Sequence, residues 1–325
     1  TVPADFTVGS VITTGGTVTA GKWNSTNTDI AVTVPLPNDN TLIGGTPQIQ
    51  ASVASESYEN LGSAHTIGGS EPNTSVTSSF DAATFEALSG GISDGESILF
   101  KAILTDKAGN ATTGTQSVTS IAFDQSVPAF SSVTPSTGSS VKVADVGYTL
   151  SEAIASGTVK YTRTGGSSDS GSPHTQNLSG AELNTGARSL AALSSAPTLV
   201  DGATYTIDFN GVDAAGNAAT QVSVTGIFFD TTVPADFTVG SVITTGGTVT
   251  AGKWNSTNTG INVTVPLADD ATLIGGTLQI QASVASGVYE NLGSAHTIAD
   301  GEENTNVTSS FSASTFEALS GGISD

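Results

Sequence analysis

The 325-residue chain has no cysteine and no methionine. Disulfides, thiolate metal centres and a cysteine nucleophile are therefore excluded from the start. Basic residues are scarce: eight Lys and Arg face 29 Asp and Glu, for a net charge of −21. A nucleic-acid binder needs clustered Lys and Arg against phosphates, so that class is disfavoured. No apolar run approaches 18 residues, and no membrane span is expected. The opening TVPADFTVGS has neither a basic stretch nor an apolar one, so no leader is expected there. What the chain does hold is Ser and Thr at 92 positions, 38 Gly, and 37% hydrophobic residues rich in Val and Ile. That hydrophobic share is too high for a disordered acidic tail. The composition points to an acidic, β-rich, extracellular protein.

Self-comparison exposes a repeat. Residues 1–94 recur as 232–325 without gaps, differing at 15 positions. The order is thus A, B, A′, with domains expected at 1–125, 126–231 and 232–325. Asp94 is followed by GESILFKAILTDKAGNATTGTQSVTSIAFD, which has no second copy after Asp325. The expectation is a piece of a longer tandem array, its second A copy truncated before the last two strands. In DIAVTVPL, Ile30, Val32, Val34 and Leu36 alternate with other residues, the period of a half-buried strand. The change Ala31 to Asn262 falls on the opposite face. Asp81 becomes Ser312, and both are good helix N-caps, so TFEAL is expected to form a short helix ending near Gly90. The other changes gather in loops.

Segment B differs in sequence but is punctuated like A. Its ending LVDGATYTIDFNGVDAAGNAATQVSVTGIFFD reads as two strands, about 203–212 and 218–229, flanking a D-x-A-G-N turn. Tyr205, Ile207 and Phe209 share one face. VGYTLSE and SGTVKYTRT read as another pair. Short strands at regular spacing with Gly- and Asn-rich turns argue for an all-β sandwich.

FDQSVPAF, TLSEAI and DAAGNA resemble the bacterial immunoglobulin-like repeats of giant cell-surface adhesins. The resemblance covers the whole chain, most clearly B. It implies tandem immunoglobulin-like sandwiches in an extended end-to-end array, non-catalytic, on the bacterial cell surface, with calcium stiffening the joints. The partners it implies are neighbouring repeats, and a surface glycan or protein through other parts of the full protein. Residues 56–95, with their helix, stand out as an excursion from the minimal domain.

Catalysis finds little footing. His65 and its copy His296 lie in NLGSAHTI, and His174 in GSPHTQN, without a partner pattern for nucleophilic chemistry. No G-x-S-x-G elbow or phosphate loop occurs. Glu56 and Glu59 are the sole carboxylate pair of the excursion, and Glu56 is Gly287 in the copy. Trp23 (Trp254 in the copy), Tyr58 and Phe85 could form a sugar platform, although a lone aromatic beside a strand is more often core. The acidic turns carry more. In such a sandwich the last-strand loop, the loop after the second strand and the incoming chain meet at one pole. Asp124, Glu152, Asp213 and Asn217 would then converge at the A–B joint, where a hard cation such as Ca²⁺ wants several oxygens. The alternative is that these are solvated turn residues. Weaker candidates are Asp230, Asp269 and Asp270 at the B–A′ joint, and Asp39, Asp106 and Asn110 in the first copy. Two readings follow: a spacer of a surface adhesin, or a ligand-binding adhesin module.

Overall fold

The computed structural model describes residues 2–188, 193–285, 287–319 and 323. The first type-A segment forms β1 (Val11–Thr14), β2 (Lys22–Trp23), β3 (Asp29–Pro35), β4 (Thr46–Val53), β5 (Glu59–Asn60) and β6 (Ser75–Asp81). It continues with α1 (Ala82–Glu86), β7 (Ser97–Thr105), β8 (Ala111–Thr113) and β9 (Ile121–Phe123). One sheet runs β1-β3-β6 and the other β2-β9-β7-β4-β5, with β8 beside β7. Segment B forms β10 (Phe130–Thr134), β11 (Ser140–Val141), β12 (Gly147–Leu150), β13 (Ser156–Gly166) and β14 (His174–Asn177), then β15 (Gly186–Arg188), β16 (Ala203–Val212) and β17 (Val222–Phe229). Its sheets run β10-β12-β15 and β11-β17-β16-β13-β14.

Position for position these are the same arrangement. In each, the first strand is split: one part joins the three-stranded sheet, and the other pairs parallel with the last strand. Antiparallel ladders such as β1-β3-β6 and β4-β7 in the first, and β10-β12-β15 and β14-β13-β16 in the second, form the rest, in the strand order of a Greek-key immunoglobulin-like sandwich. The fold is therefore tandem immunoglobulin-like β-sandwiches, reached from two dissimilar sequences.

The cores follow from two-residue periodicity. On β3, Ile30, Val32 and Val34 are buried, and Ile98, Phe100, Ala102 and Leu104 meet them from β7. In B, Tyr205, Ile207 and Phe209 on β16 are buried, and Phe209 packs its ring 6.0 Å from both Phe130 and Tyr148. Residues 147–150 and 156–166 are both strands, as expected, but they do not pair. β12 and β13 lie in opposite sheets, because the chain crosses the sandwich between them. β17 begins at Val222, after the turn, rather than at residue 218.

Asp81 caps α1 by accepting the Thr84 N–H at 2.8 Å. The helix is the crossover from β6 to β7, and it seats Phe85 in the core, 4.6 Å from the Trp23 ring. Trp23 Nε1 donates to Glu86 at 3.0 Å. The 56–95 stretch thus supplies β5 and β6 to the two sheets, and the helical crossover leads from β6 to β7.

Contacts divide the chain into two compact units: Thr1–Ser139 with Ala144–Ile227, and Ser140–Val143 with Phe228–Asp325. The second holds the repeat copy, with β18 (Val242–Thr245), β19 (Gly260–Pro266), β20 (Thr277–Leu278), β21 (Gln281–Ala282), β22 (Glu290–Asn291), β23 (His296–Thr297), β24 (Asn306–Ser312) and α2 (Ala313–Glu317). Its sheet β18-β19-β24 reproduces β1-β3-β6. Among the described residues no helix is long and apolar enough to cross a membrane.

Candidate functional site

The loop between β16 and β17 is built around Asp213. Its Oδ1 accepts the N–H groups of Ala215, Gly216 and Asn217 at 2.7–2.9 Å, and its Oδ2 accepts the Asn217 amide at 2.8 Å. Gly216 completes the turn with φ +100°, a conformation that suits glycine. The matching loop of the first sandwich repeats the device: Asp106 accepts from both the backbone and the side chain of Asn110 at 2.8 Å.

In B this loop is docked on the first sandwich. Asn217 Nδ2 donates to the Asp124 carbonyl at 2.9 Å, and its Oδ1 accepts the Ser25 N–H at 2.8 Å. Asn24 Nδ2 donates to the Ala215 carbonyl at 2.8 Å. A side chain at Gly216 would lie 2.9–3.0 Å from Thr19, Asn24 and Thr17, so glycine is also needed for the close approach. Asn24 and Asn217 are fully buried. The connecting segment is tied as well, since Asp94 accepts from the Gln125 N–H and the Ser126 hydroxyl.

Next to these bonds, Asp124, Glu152 and Asp213 converge, with one carboxylate oxygen of each within 4.8 Å of the others. They form the one such group of three among the described residues. Asp213 is buried and the other two half-buried. Burial, followed by the charge of Asp213 and then Asp94, pushes the Asp124 carboxyl above its ordinary value, with Lys22 opposing. Glu152 is raised by burial and then by Asp124, Asp213 and Asp94. Both groups are held where losing a proton is unfavourable.

Three expected ligands thus meet, and the fourth meets them in another role. The Asn217 oxygen is occupied by Ser25 and its amide by Asp213 and Asp124, so Asn217 positions the loop rather than offering an oxygen. The weaker candidates form no group of three among the described residues. Asp39 caps the turn at 40–42 through Thr41, and Asp270 does the same through Thr272. Asp106 and Asn110 hold their own loop. Asp230 accepts the Thr232 N–H, and Asp269 joins it in no cluster.

Each histidine has a carboxylate partner that its sequence surroundings did not reveal. His65 lies 3.0 Å from Glu71, His296 2.7 Å from Glu302, and His174 2.7 Å from Asp169. His174 stands on a strand, and Asp169 also accepts the Tyr205 hydroxyl. Glu59 accepts from the Ser89 N–H and hydroxyl. Trp23 and Phe85 are wholly buried, which removes two of the three aromatics of a sugar platform in the first copy.

A donor set of carboxylate oxygens alone matches a hard cation and no soft metal. Two oxygens on opposite sides of a Ca²⁺ lie at most about 5 Å apart, and the observed spread fits inside that span. Asn24, Ser25 and Asp94 were missed from sequence. The sole hint was that NSTN is unchanged between the copies.

No family model and no curated protein matches the chain. Among solved structures, it is similar to the FN1–FN3 domains of chicken CNTN1, at 14% identity over 96% of this chain and 88% of that one, with a TM-score of 0.35. The fold assignment rests on the strand order and not on that likeness.

Proposed function

We propose that this chain is a non-catalytic spacer segment of a bacterial surface adhesin, calcium-rigidified at the joint of its first two sandwiches. The observation that carries the reading is the docking of the Asp213–Asn217 loop on Asn24 and Ser25, beside three converging carboxylates. A spacer must resist bending at its joints. Direct hydrogen bonds set the joint's geometry, and Asp124, Glu152 and Asp213 would hold the ion that neutralises their mutual repulsion. The near-identical copies suit a stalk lengthened by duplication. The charge of −21 keeps such segments soluble and mutually repelling.

The alternative is a ligand-binding module using a glycan or protein contact on the type-A sandwich. Burial of Trp23 and Phe85 weighs against it in the first copy. Glycan and protein arrays probed with the whole chain separate the two. The spacer reading expects no saturable binding, and a saturable ligand lost on Tyr58→Ala would replace it.

A further inference from the structure

We propose that the first type-A sandwich carries a lateral contact for a second copy of this chain, centred on Val118 and the hollow beside it. The first two sandwiches end in nearly the same sequence, SVTSIAFD at 117–124 and SVTGIFFD at 223–230. In the second, β17 runs unbroken through this stretch, and Val224 is buried at 5% exposure. Thr225 is paired there with the first-strand segment. Its N–H donates to the Thr137 hydroxyl at 3.3 Å, and its carbonyl accepts the Gly138 N–H at 2.9 Å. In the first, β9 begins only at Ile121. Ser117 takes the inward place, bonded to Phe100 through backbone and side chain, and Val118 is turned out at 90% exposure. Among the described residues no first-strand partner bonds to 118–120.

The split first strand is the reason. Residues 6–8 bond to Thr115 and residues 21–23 to 122–124, but between them the chain departs to β1 in the other sheet. It leaves a hollow of about 740 Å³, walled by Val11, Ile12, Val18 and Ala20 from the first strand and its turn, and by Val118 and Thr119 from the last. Ile12 and Val18 are half exposed. None of the lining residues is charged, in a chain of net charge −21. Two copies therefore meet at this face without bringing carboxylates together. A projecting valine at the rim of an apolar hollow is also self-complementary: about a two-fold axis, each Val118 enters the other copy's hollow. The same axis brings the two 118–120 segments together, where their open backbone groups pair. The surface is continuous with the A–B contact, because the turn that walls the hollow also sets Thr17 and Thr19 against Gly216. So small a contact falls short of the roughly 1,200 Å² of a stable interface, and the pairing is transient. It goes beyond the spacer reading by letting neighbouring chains associate side by side.

The chain has no cysteine, so a single introduced one reports on the contact. The whole chain carrying Thr119→Cys is expected to form an intermolecular disulfide under a mild oxidant roughly tenfold faster than one carrying Ser170→Cys, an exposed position on the second sandwich. Adding Val118→Asp to Thr119→Cys is expected to bring the rate down to that control. Val118 is too exposed for this change to touch the core, and an unchanged melt checks that the fold is kept. Because the copies repel each other elsewhere, raising NaCl from about 0.05 to about 0.5 M is expected to speed the cross-link. Wild type is expected to dimerise in sedimentation with a Kd of roughly 0.1–1 mM. The proposal is overturned if the two cysteine variants cross-link at equal rates, or if Val118→Asp leaves the rate unchanged. It is also overturned if wild type stays monomeric to about 1 mM at the higher salt, which would leave the hollow to an occupant other than this chain.

Discussion

Asn24 Nδ2 in the first sandwich donates to the carbonyl of Ala215 in the second, at 2.8 Å and out of contact with solvent. The same nitrogen donates to the Thr17 carbonyl, and Asn24 Oδ1 accepts the Thr26 N–H. One side chain therefore holds its own turn and the neighbouring sandwich together. Removing it takes the donor from the buried Ala215 carbonyl, while Thr17 keeps its bond from Asn27, and Asn24→Ala is expected to cost roughly 1–3 kcal/mol. Chemical denaturation of wild type and variant checks this; a change under about 0.5 kcal/mol would mean that water replaces the bonds without loss.

Gly216 makes a sharper case. Its φ of +100° is unfavourable for any residue with a Cβ, and that Cβ would press on Thr17, Thr19 and Asn24. Gly216→Ala is expected to destabilise by about 1–3 kcal/mol. Gly109→Ala, at φ +91° with open space around it, should show the backbone strain without the clash. Amide exchange at residues 24–27 distinguishes them: it should quicken in the first variant and not in the second.

Most of the architecture was legible because it follows from local rules. The alternation at 30–36 and at 205–209, and the Asp–Gly–Asn turns, are each set by residues close together in the chain. The meeting of Asp124, Glu152 and Asp213 was legible only through the sandwich topology, which brings residues about 90 apart to one pole. What stayed hidden depends on pairings that no local pattern encodes. The packing of Trp23 on Phe85, the crossing from β12 to β13, and the use of Asn217's oxygen by Ser25 all arise from distant segments meeting. The histidine partners lie five or six residues away, but a loop must fold back to bring them together.

The raised carboxyls set a pH dependence. Asp124 and Glu152 bind their protons more tightly in the folded chain than in the unfolded one. Between the ordinary carboxylate value and their raised values the folded state holds more protons, so stability there falls as pH rises. Without divalent ions, wild type should gain stability relative to Glu152→Gln as pH drops from 7 towards 5. At lower pH, the lowered carboxyls such as Glu71 and Asp169 act in the opposite sense. Melting both proteins in a chelator across that range checks the sign, and parallel curves would remove the coupling.

Calorimetric titration of Ca²⁺ into the whole chain and its Glu152→Gln variant decides whether the joint binds the ion. Glu152 is the choice because it supplies a carboxylate without holding the loop, whereas Asp213 carries the turn itself. The account predicts one site in wild type with a Kd of about 0.1–1 mM, the range of extracellular modules, weakened at least tenfold in the variant. Wild type that binds no Ca²⁺ below about 1 mM, or a variant that binds as wild type does, would contradict it and leave the joint held by Asn24, Ser25 and Asn217 alone.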